Sequence, residues 1–282
     1  MAVSAGEDRK ATEAVNLGHQ DMRRGSPVLA GSYFLDAGDK PLTGWHSHDL
    51  HQLQYAFQGV AQVETATAVH FLPPQQAVWI PAGVEHCTTL TRVRAASVFF
   101  DPGPAIEAGD RVRVVGVAPV IREMVLYARR WPIGRPAPDP VSSRFFATLG
   151  QLIAESLDEE LPLALPTSRH PLVAAAMRYT LDHLGTVTIS AACAAVSTSE
   201  RTLRRAFLAE TSLTWSQYLK QARLLQAMAL LSAPEPSVLA VATAVGFGSL
   251  SGFARAFRRC TGQTPLSYRQ RVRPGTGAGI IR

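Results

Sequence analysis

Residues 28–100 alternate apolar and polar side chains over short runs, separated by turn-forming pairs such as Gly38-Asp39 and Pro73-Pro74. Because successive side chains of a strand point to opposite faces, such alternation indicates strands. Many short strands with frequent turns are typical of an all-β sandwich or barrel. The clearest runs are 32–35, 52–57, 61–65, 77–80 and 96–100.

The pattern changes to helical spacing in the rest of the chain. Two helix-like stretches lie at about 120–130 and 141–157, and the proline-rich segment 161–166 then indicates a linker. From 171 to 268 the chain is rich in alanine, leucine and arginine, with helical periodicity and no strand pattern. We therefore predict an α+β protein of several domains, in which a β domain is followed by helices and then by an all-α domain.

The all-α region repeats itself at a spacing of about fifty residues, which indicates two copies of one supersecondary unit. Each copy predicts a helix, a tight turn and a second helix, as in a helix-turn-helix. Ser197, with Glu200 three residues later, has the form of a capping box at the start of one second helix. The predicted helices are 188–195 and 198–210 in the first copy, and 237–245 and 249–260 in the second. The identical pairs are Ala192/Ala242, Ala194/Ala244, Ser199/Ser249, Arg205/Arg255, Ala206/Ala256, Phe207/Phe257, Thr211/Thr261, Thr214/Thr264 and Tyr218/Tyr268.

The second helix of the first copy separates apolar from basic residues. Leu203 and Phe207, spaced i and i+4, form the predicted buried stripe. Arg201, Arg204 and Arg205 form an i, i+3, i+4 cluster on the exposed side. Forked guanidinium donors in this half of a second helix suit the readout of guanine edges in the major groove of DNA.

The second copy arranges its polar residues differently. Ser251 and Arg255 stand at the matching positions and are the predicted base-contacting residues of this copy. Because this copy has fewer base readers, we expect the first copy to dominate specificity. The residues expected to contact phosphates are Ser199, Ser249, Arg258 and Arg259.

The distribution of charge supports a polyanion as partner. Residues 166–282 carry 14 Lys+Arg, 13 of them arginine, against 4 Asp+Glu, whereas residues 1–165 carry 14 against 18. A basic region of this kind is typical of a nucleic-acid binder. The three scattered cysteines fit a reducing compartment, and the chain has no apolar stretch of membrane-spanning length. We therefore expect a cytoplasmic protein without a membrane anchor.

The stretch from Pro171 to Arg271 resembles the DNA-binding domain of the AraC/XylS family of bacterial transcription regulators, above all in the run AVGFGSLSGFARAFRRCTGQTPLSYR at 244–269. The resemblance implies two helix-turn-helix units, a long connecting helix at about Trp215–Ser232, and double-stranded DNA as partner. It also implies that the two recognition helices enter adjacent major grooves ~34 Å apart. Trp215 is a departure, since the family usually has proline there.

The β domain carries a pattern of histidines. His46 and His48 share one face of a predicted strand with Gln52, whereas His51 has the opposite parity and is expected to face away. His86 follows a turn and is expected on a neighbouring strand. Two histidines from one strand and a third from its neighbour have the arrangement of a facial metal site.

This half of the chain resembles the cupin, or jelly-roll, sensor domains that precede the DNA-binding domain in such regulators, and within them the regulators of drug-efflux transporters. The motif residues present are His46, His48, Gln52, Gly59, Pro81, Gly83 and His86. The departures are Gln52, where metal-binding cupins have glutamate, Lys40 and Gln75, where the motifs have glycine, and Leu90, where the second motif closes with asparagine. Three interpretations of the histidine face remain open: a divalent metal site, polar contacts in an organic effector pocket, and a structural cluster.

Two functions from different classes fit these patterns. The first is a sequence-specific transcription regulator that responds to a small-molecule or metal effector in the cupin domain. The alternative is a cupin metalloenzyme, such as a dioxygenase, with an accessory helical domain. The neutral Gln52 and the basic C-terminal region count against the enzyme, so we predict no catalytic residue.

We predict five segments along the chain. Residues 1–27 are a flexible N-terminal segment, and residues 28–160 are the sensor domain, whose helices at 120–157 provide a homodimer surface. Residues 161–170 are a linker, residues 171–272 are the AraC-type DNA-binding domain, and residues 273–282 are a flexible tail. RNA polymerase is a candidate further partner of the DNA-bound regulator.

Overall fold

The computed structural model describes residues 18–23, 28–37, 43–103, 109–233 and 235–272. The predicted flexible tail at 273–282 and most of the predicted flexible segment at 1–27 lie outside these residues. Within the described ranges, no helix has the length and apolar character needed to cross a membrane.

Among the described residues, one sheet of nine strands forms the β domain. Its two longest strands, β4 and β7, run antiparallel to each other, with register shifts between Ala56 and Val60. β4 also pairs with β5 and β6, and β7 also pairs with β2 and β3, so each long strand changes partners along its length. The strands are β1 (Gly18–Gln20), β2 (Gly31–Ala37), β3 (His46–His48), β4 (His51–Thr65), β5 (Ala68–Leu72), β6 (Gln76–Ile80), β7 (His86–Phe100), β8 (Arg113–Gly116) and β9 (Ala164–Pro166).

The helices fall into a pair beside the sheet and a group that follows it. In the pair, Phe146 and Leu149 pack into one core with Tyr55 and Trp79 of the sheet. This order of a curled antiparallel sheet and then helices confirms the predicted fold class. The helices are α1 (Pro119–Tyr127), α2 (Pro140–Ser156), α3 (Pro171–Asp182), α4 (Ile189–Ala195), α5 (Glu200–Thr211), α6 (Trp215–Ser232), α7 (Val238–Ala244), α8 (Leu250–Thr261) and α9 (Pro265–Val272).

The segment expected as a linker extends the sheet. Strand β9 pairs antiparallel with β5, placing Leu165 opposite Val69. The amide nitrogen of Gln221 in α6 donates to the carbonyl oxygens of Pro162 and Ala164, at 3.2 and 2.7 Å. Leu163 and Leu165 are both buried. The alternating leucines therefore form a strand here, where the prolines had indicated a linker.

The long helix α6 coincides with the connecting helix that the family resemblance implies. It begins at Trp215, behind a capping box formed by Thr214 and Gln217. The Trp215 indole nitrogen donates to the Thr180 hydroxyl at 3.0 Å in the core, which ties α6 to α3. The tryptophan that replaces the family's usual proline is therefore a buried anchor of the helical domain.

Candidate functional site

The second helix of the first unit, α5, begins later than the sequence predicts. Its N-cap is Ser199, whose hydroxyl accepts from the backbone N–H of Thr202 at 3.2 Å. Ser197, the predicted capping residue, lies in the turn with a left-handed backbone at φ +50°. The predicted capping box of Ser197 with Glu200 is therefore wrong, and Glu200 is instead the first residue of the helix.

The two units also differ by one residue in the turn. The N-caps of the first helices, Thr188 and Ser237, lie 49 positions apart, whereas those of the second helices, Ser199 and Ser249, lie 50 apart. The turn of the second unit thus holds one more residue. The predicted alignment of Ala192 with Ala242 is wrong by one position, because the buried pairs are Ala192-Cys193 in α4 and Val241-Ala242 in α7.

Both second helices present a polar face to solvent and bury the predicted apolar stripe. Leu203 and Phe207 of α5 are fully buried, as are Phe253 and Phe257 of α8. This division leaves the side opposite the stripe free to meet a partner. The exposed residues include every predicted DNA contact: Ser199, Arg201, Arg204, Arg205, Ser249, Ser251, Arg255, Arg258 and Arg259.

One interaction on α5 was missed in the sequence. Arg204 donates from Nε to Oε1 of Glu200 at 2.9 Å, and its Nη2 contacts the same oxygen. The i, i+4 spacing of a glutamate before an arginine is the signal that predicts this pair. Glu200 occupies the Nε side of the guanidinium, so the two terminal nitrogens of Arg204 still present N–H groups at the free end.

Three histidines come together in the β domain as predicted. His46 of β3 stands opposite His86 of β7, and His48 follows two residues along the same face of β3. One ring nitrogen from each lies within 4.8 Å of those of the other two, and all three residues are buried. The ring of Phe99 packs edge-on against His48, 5.5 Å between centroids, and closes one side of the cluster.

Each of the three rings is held at Nδ1 by a backbone carbonyl. The acceptors are Gly44 for His46 (3.0 Å), Leu50 for His48 (2.6 Å) and Val84 for His86 (2.9 Å). In His46 and His86, a proton on Nδ1 leaves the Nε2 lone pair free, an arrangement common in metal-ligating histidines. Both ring nitrogens of His48 face an oxygen, so its neutral ring can donate to only one of the two. The buried Nε2 of His86 has no hydrogen-bond partner among the described residues.

Burial favours the neutral form of two of these rings, those of His48 and His86. Desolvation lowers the pKa of His48, and it lowers the pKa of His86 to about 3. Gln52 adjoins the cluster, because its side-chain Oε1 lies 2.8 Å from Nε2 of His48 and its Nε2 donates to the Ser97 hydroxyl at 2.8 Å. The cluster therefore offers imidazole nitrogens and one neutral amide, with no carboxylate among the described residues that form it.

His51 does not join the cluster, in agreement with its parity. Its ring packs on Trp79 with 5.1 Å between centroids, and its Nδ1 accepts from the backbone N–H of Ala82 at 3.0 Å. His51 can therefore serve as a control for substitutions in the cluster, because it is a buried histidine in the same part of the sheet that contacts other residues.

Two family models match the chain. A model described as an AraC-like ligand binding domain matches residues 29–92, and one described as a helix-turn-helix domain matches residues 192–271. The HTH-type transcriptional regulator NimR of Escherichia coli (strain K12) is 29% identical over 248 residues, which are 86% of this chain and 88% of that protein. The HTH-type transcriptional activator RhaR of Enterobacter sp. (strain 638) is 38% identical over 81 residues, 29% of either protein.

Two solved structures are similar over different lengths. The DNA-binding domain of AdpA, solved in complex with a target DNA, is 34% identical, with 36% of this chain and 91% of that chain covered and a TM-score of 0.34. ToxT of Vibrio cholerae strain SCE256, with a bound unsaturated fatty acid, is 11% identical, with 89% and 97% covered and a TM-score of 0.37.

The matched families and curated relatives are transcription regulators and not enzymes. Their matches fall on both parts of the fold, the curled sheet with its histidine cluster and the duplicated helical unit with its exposed arginines. The chain therefore combines a region similar to the AraC-like ligand binding domain with a helix-turn-helix region behind it, and the curated relatives that it resembles are transcription regulators.

Proposed function

We propose that this regulator reads its operator with α5 and α8 and senses a divalent metal ion at the histidine cluster. The observation that carries the DNA readout is the exposure of three arginines on the N-terminal half of α5 while the opposite stripe is fully buried. In this proposal residues 28–160 form the sensor, 161–170 the connection and 171–272 the DNA-binding domain. The cytoplasm is the proposed location, since DNA is the partner.

Specificity is assigned mainly to the first unit. Arg201, Arg204 and Arg205 are its proposed base-contacting residues, because side chains at the start of a recognition helix reach base edges in the major groove. Glu200 holds Arg204 from the Nε side, and the free end of the guanidinium suits the O6 and N7 acceptors of guanine.

The second unit contributes more to affinity than to specificity. Ser251 and Arg255 are its proposed base contacts, while Arg258 and Arg259 lie one turn further along α8 and are assigned to phosphates. The hydroxyls of Ser199 and Ser249 cap the two helices, so a phosphate placed there also meets backbone N–H groups and the positive end of a helix dipole.

The test compares cognate and random DNA. The cognate site is first selected from random-sequence DNA with the full chain, and binding is measured by fluorescence anisotropy at fixed salt. We expect Arg204→Ala to weaken binding to the cognate site by about 1–3 kcal/mol and to leave binding to random DNA nearly unchanged, whereas Arg259→Ala weakens both alike. Equal losses on both DNAs for Arg204→Ala would make Arg204 a phosphate contact.

Arg178→Ala provides the matched control for lost charge. Arg178 is exposed on α3, in the same domain but outside both recognition helices. A loss of cognate binding as large as that of Arg204→Ala would show that total charge, and not the position on α5, determines affinity.

The geometry of the cluster fits a divalent metal with nitrogen preference. The Nε2 atoms of His46, His48 and His86 would hold the ion, and the oxygen of Gln52 is a candidate fourth ligand. The bound ion would join strands β3 and β7 at one end of the sheet. A site without carboxylates favours Zn²⁺, Ni²⁺ or Co²⁺ over Mg²⁺ or Ca²⁺.

Co²⁺ titration followed by visible absorption tests this site, because the spectrum reports coordination directly. We expect His46→Ala to lower Co²⁺ affinity at least about tenfold and to remove the response of DNA binding to the ion, without loss of basal DNA binding. His51→Asn, which retains an acceptor for the Ala82 N–H, is expected to behave as wild type. Unchanged Co²⁺ binding in His46→Ala would exclude the cluster as the metal site.

A homodimer through α1 and α2 completes the proposal, with RNA polymerase as the further partner of the DNA-bound dimer. Val120, Tyr127 and Val141 are 54, 54 and 60% exposed on these helices. Such apolar residues are suited to an interface between copies. Analytical ultracentrifugation of Tyr127→Lys tests this, since the substitution places a charge on the proposed interface; an unchanged dimer would place the interface elsewhere.

A further inference from the structure

A cavity lies where the sheet, the connecting peptide and the second helix-turn-helix unit meet. Its volume is about 180 Å³. It is separate from the histidine cluster, and it lies beside the end of α8, the second recognition helix. Its lining includes Gln76, Leu161, Leu163, Met228, Cys260 and Tyr268, together with the solvent-exposed Arg271.

Two of the lining side chains carry buried polar atoms without a partner. Oε1 of Gln76 and the hydroxyl of Tyr268 make no hydrogen bond within the described part of the chain. Gln76 is 6% exposed and Tyr268 is fully buried. Buried polar groups are nearly always hydrogen-bonded, so an acceptor and a hydroxyl left unpaired around one cavity indicate a missing partner.

The neighbouring turn holds the second unit against this cavity. Gln75, at a left-handed φ of +65°, donates its side-chain amide to the carbonyl oxygen of Arg271 at the end of α9. The Arg271 guanidinium lies over the Tyr268 ring, 5.8 Å from its centroid. The residue that replaces a cupin motif glycine is therefore a contact between the two domains, directly beside Gln76.

The geometry points to a binding site for a small neutral molecule that has an apolar body and one group able both to donate and to accept hydrogen bonds. Gln76 Oε1 requires a donor, and the Tyr268 hydroxyl is free to donate to an acceptor. Leu161, Leu163 and Met228 supply apolar surface for the body. An apolar cavity of about 150 Å³ holds benzene, so a single ring with a carboxamide or hydroxyl matches the available volume.

Occupancy of this cavity stabilises the present arrangement of α8 relative to the sheet. Because the ligand contacts Gln76 on the sensor side and Tyr268 on the DNA-binding side, it binds only while the two domains are docked. If binding to a DNA site requires a different arrangement of the two domains, the ligand and that DNA therefore weaken each other's binding. The inference adds a second effector site to the proposed function and does not depend on metal binding at the histidines.

Benzamide is the probe for this site, with toluene as a ring without polar groups and benzoate as an anionic analogue. The full chain is treated with a small thiol reagent at pH about 8.5, because a Cys260 thiol at the cavity reports its occupancy and burial raises the pKa of that thiol. We expect benzamide to slow labelling of Cys260 and to raise the melting temperature, with an apparent Kd on the order of 1 mM. Toluene and benzoate are expected to have little effect.

Tyr268→Phe removes the hydroxyl and Gln76→Leu removes the whole side-chain amide, and each is expected to weaken benzamide binding about tenfold. Tyr218→Phe is the matched control, since Tyr218 occupies the corresponding position of the first unit and packs on Phe207 as Tyr268 packs on Phe257. The control should bind benzamide as wild type does.

Three results would overturn the inference. One is the absence of Cys260 protection and of a melting shift up to about 10 mM benzamide. Another is equal benzamide affinity in Tyr268→Phe and wild type, and the third is stronger protection by benzoate, which would show the ligand class to be wrong. None of these depends on DNA, so the DNA-binding proposal stands or falls by its own test.

Discussion

The two helix-turn-helix units share their backbone structure and buried residues but differ in the positions of their exposed arginines. In both, the threonine that ends the second helix donates its hydroxyl back to the preceding turn, from Thr211 to Phe207 and from Thr261 to Phe257. The positions of the arginines differ, however. The arginines of α5 lie in its first half, whereas Arg258 and Arg259 lie in the last turn of α8. A duplicated frame thus permits one copy to specialise in bases and the other in the backbone of DNA.

The left-handed positions of the units show a second difference. The first unit has Ser197 and Ser212 at φ +50° and +57°, and the second has Gly246 and Gly262 at φ +83° and +75°. A Cβ on Gly246 would stand 2.3 Å from the carbonyl oxygen of Gly185, whereas one on Gly262 would meet nothing within 4 Å. Only Gly246 is therefore required for both its backbone angle and its close contact.

The largest effect is expected from Gly246→Ala. The new Cβ meets backbone, which cannot swing aside, so we expect a loss of about 2–4 kcal/mol in the free energy of unfolding of the helical domain. Ser197→Ala, in the turn of the first unit, already has a Cβ in place and should cost less than about 1 kcal/mol. Urea denaturation followed by circular dichroism measures both; similar losses would contradict the asymmetry of the turns.

A smaller effect is expected at the start of the helix that follows each unit, α6 after the first and α9 after the second. Trp215→Phe removes the hydrogen bond to Thr180 and part of the buried ring, and should cost about 1–3 kcal/mol. Pro265→Ala, at the corresponding position of the second unit, should cost about 1 kcal/mol or less. In a Thr180→Val background the cost of Trp215→Phe should fall, and an additive double mutant would show that the hydrogen bond contributes nothing.

The smallest effects concern the helix ends. Glycine favours the left-handed position that follows a helix, so Ser212→Gly should stabilise the protein by about 0.5–1 kcal/mol. Gly262→Ser should destabilise it by a similar amount, because the site is open but the backbone angle is unfavourable. Thermal melting of both variants checks the opposite signs, and two changes of the same sign would refute this explanation.

Much of the helical domain follows from local patterns. The i, i+4 pair Leu203 and Phe207 predicts the buried stripe, and the arginines between them are exposed as the helical period requires. Helix α6 has the bounds that the resemblance implies. The buried stripe depends on short-range periodicity, which the sequence displays directly, whereas the bounds of α6 were implied by the family resemblance alone.

The errors lie where neighbouring residues offer equivalent choices. Ser197, Thr198 and Ser199 can all cap a helix, and the burial of Leu203 rather than the capping motif selects the third of them. The short alanine-rich helices α4 and α7 align almost equally well in two registers, so the extra residue in one turn is invisible. The polar and base contacts assigned on α5 and α8 remain predictions.

The histidine cluster and β9 show which parts of the strand pairing can be predicted from the sequence. The parity of His46 and His48 predicts their common face, whereas the partner strand of His86 depends on a register that only the folded sheet defines. Strand β9 depends on β5, nearly a hundred residues earlier in the chain, and its alternate leucines were the available signal.

The pairing of β9 with β5 has a mechanical consequence. Two further backbone hydrogen bonds extend this strand pairing. The N–H of Phe71 donates to the carbonyl oxygen of Leu163, and the N–H of Thr167 donates to that of Thr67. Domain reorientation by a swing about this peptide therefore requires the strand to unzip and expose those donors and acceptors, which is a cooperative step and not a gradual flexing. The paired strand therefore makes the connection between the two domains a structured part of the sheet rather than a flexible tether.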